Sequence, residues 1–335
     1  MVATDSGVSL PTVSKVLNGR ADVAPDTRAR VEAALRRHNY VPQPTRRTGA
    51  ASRTIDLVFD NFNSAYATEI LNGVTEAGAE LGISVVVGRY PTPVPGPLAP
   101  EDAWARRLIE SDRQGLIVVT SELTSSQLTA FDRVGLALVV IDPVNLPRAD
   151  VTSVGATNWS GGLAATRHLT ELGHRRIAFI GGPEAASCSQ ARLHGYHAAL
   201  TNAGIATAPN LIRHGGFDFA SGLKMGTELL DGDDPPTAIF AASDPMAVGV
   251  LAAARARGLH VPHDLSVVGF DDSFLTEWST PALTTVRQPL RDMGRVALRT
   301  LLRLVAGEPL DSHHVELATT LVVRDSTGPT SLATV

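Results

Sequence analysis

Apolar positions near the start of the chain recur at helical spacing. Val13, Val16 and Leu17 stand at i, i+3 and i+4, one stripe of a short helix. Ser9 is a natural N-cap, and Pro11 falls in the first turn, where its missing N–H costs little. A second helix opens at Pro25-Asp26-Thr27, with Val31, Ala34 and Leu35 on its inner face and Arg28, Arg30, Arg36 and Arg37 outside. It stops near Tyr40-Val41-Pro42, because a proline pushes its predecessor out of helical geometry. Upstream, Val2 to Ser6 reads as the tail of a helix ended by a turn at Gly7. Helix, glycine turn, helix, loop, helix is a helix-turn-helix pattern.

From Thr54 the pattern becomes short apolar runs alternating with amphipathic helices. Strands are predicted at residues 55–59, 83–87, 116–119 and 136–141, then at 177–180, 238–241 and 265–269. Leu81-Gly82, Leu172-Gly173, Ala203-Gly204 and Arg257-Gly258 read as C-terminal stops of intervening helices. Strand–helix alternation with short loops means parallel sheets covered on both faces. The second series begins near Asn158, so the fold class expected is α/β: a helix-turn-helix head followed by two doubly wound parallel-sheet lobes.

Composition sharpens this. The chain has 335 residues, 44% hydrophobic and 19% charged, enough for two or three globular domains. No uninterrupted apolar run approaches the roughly 20 residues of a membrane span. With no charged-then-apolar leader either, a cytoplasmic protein without a membrane partner is expected. A lone cysteine, Cys188, excludes an internal disulfide and a cysteine-cluster metal site. The net charge of −5 is unevenly spread: residues 1–53 hold nine Arg/Lys against four Asp/Glu, a balance of +5, which leaves −10 for the remainder. A basic head on an acidic body suggests a polyanion partner at one end. The outer surface of the 9–18 stretch fits that partner. Leu10, Thr12, Ser14, Lys15 and Asn18 offer hydroxyls, an amide and an ammonium, the groups that hold phosphates and touch base edges. The same residues also suit a capped surface helix.

Ligands of doubly wound sheets bind outside the carboxyl ends of the strands. The loops there carry Asp60 to Tyr66, Asp142-Pro143, Gly181-Gly182-Pro183, Ser243-Asp244 and Asp271-Asp272. Carboxylates and amides chelate vicinal hydroxyls and rings stack on sugar faces, so the set suits a polyhydroxylated ligand. Singly, each aspartate is equally a helix cap. Enzyme readings fail: there is no Gly-x-Ser-x-Gly elbow, no Gly-x-x-x-x-Gly-Lys loop and no His-Glu-x-x-His. His313-His314 reads as surface strand rather than a metal site, and the adjacent carboxylates of Asp271-Asp272 should point apart. No catalytic residue, metal or cofactor is expected.

The head resembles the headpiece of the lactose-repressor (LacI/GalR) family. The resemblance rests on Val2-Ala3, Gly7-Val8-Ser9, Thr12-Val13-Ser14-Lys15-Val16-Leu17-Asn18-Gly19, Thr27-Arg28, Val31 and Tyr40-Val41-Pro42, and it continues over nearly the full length. It implies that Leu10, Pro11 and Lys15 face base edges. It also implies that Ser9, Thr12, Ser14, Asn18, Thr27 and Tyr40 hold phosphates. Leu10 and Pro11 bring only apolar readout, for example against thymine methyls, so Lys15 is the polar reader. The family's first helix starts several residues earlier, so either the start codon is misassigned or the headpiece is weakened. Its linker leucine, which wedges into the minor groove, has no counterpart at residues 43–54. Arg46 and Arg47 stand there instead, either to enter a narrow minor groove or as part of a flexible basic linker.

In the body, the segment Cys188 to Tyr196 resembles the one whose arginine binds effector hydroxyls, making Arg192 the anchor, or else a structural ion-pair partner. The runs 267–272 and 281–288 resemble the family's body motifs. They imply Asp271 as a hydroxyl acceptor and Gln288 at the crossover between lobes. Phe217 is implied as a stacking ring, Ser243 as a polar contact, and Asn63 and Tyr66 as parts of a wall loop, with Asp142 added as a candidate from the strand-end loops. The resemblance implies lobes of periplasmic-binding-protein type. The expected division is residues 1–41 headpiece, 42–53 hinge, 54–326 effector and dimerisation body, and 327–335 tail. The first lobe takes 54–157 plus 287–312, the second 158–286 plus 313–326. The implied function is a sugar-responsive transcriptional regulator, a repressor, binding double-stranded operator DNA as a homodimer with a small carbohydrate effector. The alternative is a sugar-binding protein of a transport system without DNA binding.

Overall fold

The computed structural model describes residues 2–17, 23–38, 53–60, 62, 64–90, 100–145 and 148–330. Residues 1–52 form one compact unit and 53–335 another. In the first, α1 (Val2–Ser6), α2 (Leu10–Leu17) and α3 (Pro25–Arg37) pack through buried Val13, Val16 and Val31, with Val2, Val8, Val23 and Leu35 against them. Val13 and Val16 are the described members of the stripe the spacing predicts. Gly7 sits at φ 64°, left-handed backbone that a side chain would strain, and turns the chain from α1 into α2. Ser9 Oγ stands 3.4 Å from the Thr12 amide and 2.9 Å from Thr12 Oγ1, closing the first turn. Asp5 ties α1 to the end of α3 through Arg37 (3.3 Å) and His38 (3.2 Å).

The second unit holds two six-stranded sheets. The first lobe runs β1 (Arg53–Phe59), α4 (Ala65–Leu81), β2 (Ile83–Arg89), α5 (Pro100–Glu110), β3 (Arg113–Val119), α6 (Ser125–Val134), β4 (Ala137–Ile141) and β5 (Ser153–Ala156). The second runs α7 (Asn158–Glu171), β6 (Ile177–Gly181), α8 (Ser187–Asn202), β7 (Ile212–His214), α9 (Phe219–Leu230), β8 (Ala238–Ala241), α10 (Asp244–Ala256), β9 (Ser266–Asp271), α11 (Leu275–Trp278) and β10 (Thr284–Arg287). The chain then returns to the first lobe for α12 (Leu290–Val305) and β11 (His314–Leu317), and ends in the second with β12 (Thr320–Val322). Strand orders are β11-β5-β4-β3-β1-β2 and β12-β10-β9-β8-β6-β7, all parallel except β12 against β10.

Both faces of each sheet are buried, as parallel sheets require. Along β1 and β3 alternate residues part ways: Leu57, Ile117 and Val119 pack under α4 and α12, while Val58, Leu116 and Val118 pack against Trp104, Leu108 and Phe131. The predicted helix stops are real left-handed turns, at φ 66° for Gly82, 91° for Gly173, 66° for Gly204 and 71° for Gly258.

One boundary differs from expectation. The sequence division returns the chain to the second lobe at residue 313, yet β11 pairs in parallel with β5 and extends the first sheet. The crossover lies between Leu317 and Thr320, where Thr157 donates from its amide to the Leu317 carbonyl (2.9 Å) and its hydroxyl meets Thr319 Oγ1 (3.0 Å). Exposed and half-buried residues alternate from 314 to 321, and alternation does not say which sheet a strand joins.

Three helix pairs meet at reciprocal glycines. A Cβ on Gly73 would lie 2.1 Å from the Arg291 carbonyl oxygen and one on Gly294 2.7 Å from that of Ile70. In α9 and α10, Gly222 and Gly249 face Met246 and Phe219 in the same way. In α7 and α8, Gly162 would strike the Arg192 carbonyl at 2.3 Å and Gly195 that of Trp159 at 2.2 Å. This last notch sets the backbone of Arg192.

Candidate functional site

A cavity of about 400 Å³ opens between the lobes, at the carboxyl ends of both sheets. The first lobe contributes Asp60 after β1, Tyr66 in the first turn of α4, Thr120 after β3 and Asp142 after β4. The second contributes Arg192 from α8, Phe217 ahead of α9, Ser243 ahead of α10 and Asp271 closing β9. Three of these, Thr120 (φ 48°), Asp142 (43°) and Asp271 (116°), have left-handed backbone without being glycine. Each such position costs about 1–3 kcal/mol and persists only where the surroundings enforce it, so strain is concentrated on this wall.

Arg192 is 3% exposed. Its Nε donates to Asn158 Oδ1 at 2.8 Å and its Nη1 to the Ala242 carbonyl at 2.5 Å. The guanidinium stacks 3.8 Å from the Phe270 ring centre and lies 5.7 Å from that of Phe217. Asp271 Oδ1 is 4.0 Å from Nη1. The ion pair of the alternative reading is therefore present, and it is the weakest of these contacts. Nη2 donates to no atom of the described residues, which leaves it to the cavity.

Asp142, 6% exposed, accepts the Tyr66 hydroxyl at 2.7 Å. Burial raises its pKa, against the pull of Tyr66 and Arg192, and burial beside Asp142 lifts the Tyr66 phenol well above its usual range. Asp271 is pushed up to about 7 by burial, against Arg192 and the Gln288 amide. Its Oδ1 accepts from Gln288 Nε2 at 2.7 Å. Asp272 turns the other way, to Arg287 (2.6 Å) and Arg324 (2.7 Å), so the adjacent carboxylates do point apart.

Of the expected effector residues, Tyr66, Asp142, Arg192, Phe217, Ser243 and Asp271 line the one cavity. Gln288 does not. It stands behind Asp271, buried at the crossover, as its position between β10 and α12 dictates. Asn63 lies outside the described residues. Ser243 also caps α10, with Oγ 3.4 Å from the Met246 amide. The Phe217 ring occupies the space a Cβ on Gly182 would take, 2.1 Å from the ring. Cys188 lines the cavity too, its thiol pushed by burial to about 11 and so chemically quiet. Sequence reasoning missed Thr120, Asp218 and Asn158. Asp218 is both lining and N-cap, accepting from the Ser221 amide at 2.8 Å. A polar residue directly after a strand or before a helix is the signal for Thr120 and Asp218, while Asn158 is the first residue of α7.

In the headpiece, Pro11 and Lys15 are exposed on one side of α2 and Ser9 is exposed just ahead of it, with Thr12 and Thr27 half-buried. Leu10 and Ser14 lie in α2, but their side chains fall outside the description. Asn18, Tyr40, Arg46 and Arg47 lie outside the described residues, as do residues 42–52 of the hinge, while Arg53 opens β1. Among the described residues no helix is long and apolar enough to cross a membrane.

Residues 2–43 match the model of bacterial regulatory proteins of the lacI family, and residues 166–327 match a periplasmic binding protein-like domain. The chain is 34% identical over 328 residues to the HTH-type transcriptional repressor CytR of Escherichia coli K12, covering 97% of this chain and 95% of the repressor. It is 35% identical over 344 residues to the HTH-type transcriptional regulator CelR of Thermobifida fusca, with 97% of each covered. It superposes on a CelR–cellobiose complex with a TM-score of 0.74 at 34% identity, over 97% of this chain and 98% of that one. On the lac repressor dimer bound to operator and the anti-inducer ONPF, the TM-score is 0.77 at 29% identity, over 98% of each. The chain belongs to the lacI family of bacterial transcriptional regulators, with a DNA-binding helix-turn-helix unit ahead of periplasmic binding protein-like lobes.

Proposed function

We propose that the protein is a repressor that binds a pseudo-palindromic operator as a homodimer and is switched by an uncharged carbohydrate held between its lobes. One observation carries the effector reading: Asp142 with Tyr66 from one lobe and Arg192 with Asp271 from the other converge on a single cavity. Four lining carboxyls, Asp60, Asp142, Asp218 and Asp271, face Arg192 as the lone lining cation among the described residues. That balance repels sugar phosphates and sugar acids and suits neutral hydroxyls, which donate to carboxylates and accept from a guanidinium. The cellobiose complex of CelR supports the same class of ligand.

A ligand touching both lobes binds one lobe arrangement better than another, and only that difference can alter operator affinity. On DNA, Ser9, Thr12 and Thr27 hold phosphates and Lys15 reads a base edge, each headpiece of the dimer taking one half-site. The match of residues 2–43 to a regulatory family favours this over a transport-system binding protein.

The test is fluorescence anisotropy of an operator duplex at low salt, repeated over a salt series and with neutral mono- and oligosaccharides. Tight, steeply salt-dependent binding that one class of neutral sugar changes is expected, with the sugar response lost in Arg192→Ala. A response only to sugar phosphates, or one untouched by Arg192→Ala, would sink the reading.

A further inference from the structure

The cavity between the lobes does not end where the lobes do. Asp60, Thr120 and Val144 are shared between it and a second hollow of about 450 Å³, which continues outward along the first lobe. Tyr90, Glu122 and Gln127 form its further walls. The Tyr90 ring is held in place. Its hydroxyl donates to the Glu122 carbonyl at 3.0 Å, its amide to the Phe59 carbonyl at 2.7 Å, and its ring meets Trp104 edge-on at 5.4 Å. Gln127 is fixed by accepting the Thr124 amide at 2.9 Å, while Glu122 is exposed and lines the hollow, its Oε1 accepting from Asn145 Nδ2 at 3.4 Å. No lysine or arginine is among the described lining residues.

Two polar hollows therefore lie in series, each with a fixed aromatic ring and carboxylates, and neither rich in cations. A monosaccharide leaves the outer one empty. We infer that the effector is an oligosaccharide: one end is held between the lobes and the next unit lies on the first lobe against Tyr90, Glu122 and Gln127. This rests on the neutral-carbohydrate reading above. It has a consequence for regulation. Every described residue lining the outer hollow belongs to the first lobe. Contacts made there are the same in any lobe arrangement, and a ligand shifts a conformational equilibrium only through differential affinity. The outer unit raises affinity and leaves the size of the operator response unchanged.

The experiment uses the full chain. A thermal-shift panel of neutral homo-oligosaccharides of increasing length, built from pentose and hexose series, identifies the series that binds. Calorimetry then measures each length on the parent, Glu122→Ala and Glu122→Trp, the last filling the groove from an exposed position. Affinity is expected to rise about tenfold between the length that fills the inner cavity and the next. That gain shrinks in Glu122→Ala and vanishes in Glu122→Trp, while the shorter ligand binds all three proteins within about twofold. At saturation both lengths change operator affinity by the same factor. Affinity flat or falling with length, or a gain that survives Glu122→Trp, overturns the outer subsite and leaves the effector reading intact. A panel in which no saccharide of any length binds removes the effector reading, and the subsite with it.

Discussion

Asp271→Asn should make the protein more stable at alkaline pH while abolishing its response to effector. Asp271 is 6% exposed, and burial pushes its carboxyl from the ordinary 3.8 to about 7. A carboxyl whose pKa is raised on folding favours the fold while protonated. Its contribution is fully present below pH 4 and is lost as pH climbs through 7. Three pH units set a ceiling of about 4 kcal/mol on the penalty carried above pH 8. Asparagine removes that penalty without changing the shape of the site. It keeps an Oδ1 to accept from Gln288 Nε2, and it tolerates the φ of 116° better than most residues. What is lost is the attraction to Arg192 across 4.0 Å. The variant should therefore gain about 1–4 kcal/mol over the parent at pH 8, with the gap closing towards pH 4. Urea unfolding followed by tryptophan fluorescence suits the measurement, because Trp104, Trp159 and Trp278 all lie in the second unit. Protein concentration must be held fixed, since assembly shifts apparent stability. A gap of equal size at pH 4.5 and pH 8, or a variant less stable than the parent at pH 8, would refute the reasoning.

Three further outcomes follow from the geometry. Gly162→Ala places a methyl 2.3 Å from the Arg192 carbonyl. Prising α7 from α8 should cost about 1–3 kcal/mol in urea unfolding and weaken effector binding along with it. Tyr66→Phe removes the donor to Asp142 Oδ2, a loss of about 1–3 kcal/mol. Because that donor favours the ionised carboxylate, melting temperature should drop further at pH 8 than at pH 5. Lys15→Ala should lower operator affinity by about 1–3 kcal/mol and narrow the margin over a scrambled duplex. Anisotropy titrations on both duplexes check this, with melting of the body unchanged.

The amino-acid sequence by itself determined the elements and their order. Periodicity at 13, 16 and 17 and again at 31, 34 and 35 placed the headpiece helices, and Gly82, Gly173, Gly204 and Gly258 ended the body helices where a left-handed residue is needed. These are short-range effects: side-chain period, capping and turn chemistry act within a few residues and are written in order along the chain. The effector set was partly legible for the same reason, since a polar residue straight after a parallel strand must sit at the sheet's carboxyl edge.

Only the tertiary structure decided which edge residues meet. Gln288 and Asp271 belong to neighbouring motifs, yet one faces the cavity and the other holds it from behind. Asn158 reads as the start of a helix, and packing across the Gly162–Gly195 notch makes it the clamp on Arg192. In the final ribbon exposed and half-buried residues alternate from 314 to 321, but its first half joins one sheet and its second half the other. Membership of a sheet and the direction a strand end faces are settled by partners well outside the local window, from 17 residues away for Gln288 and Asp271 to 161 for His314 and Ser153, where local periodicity carries no information.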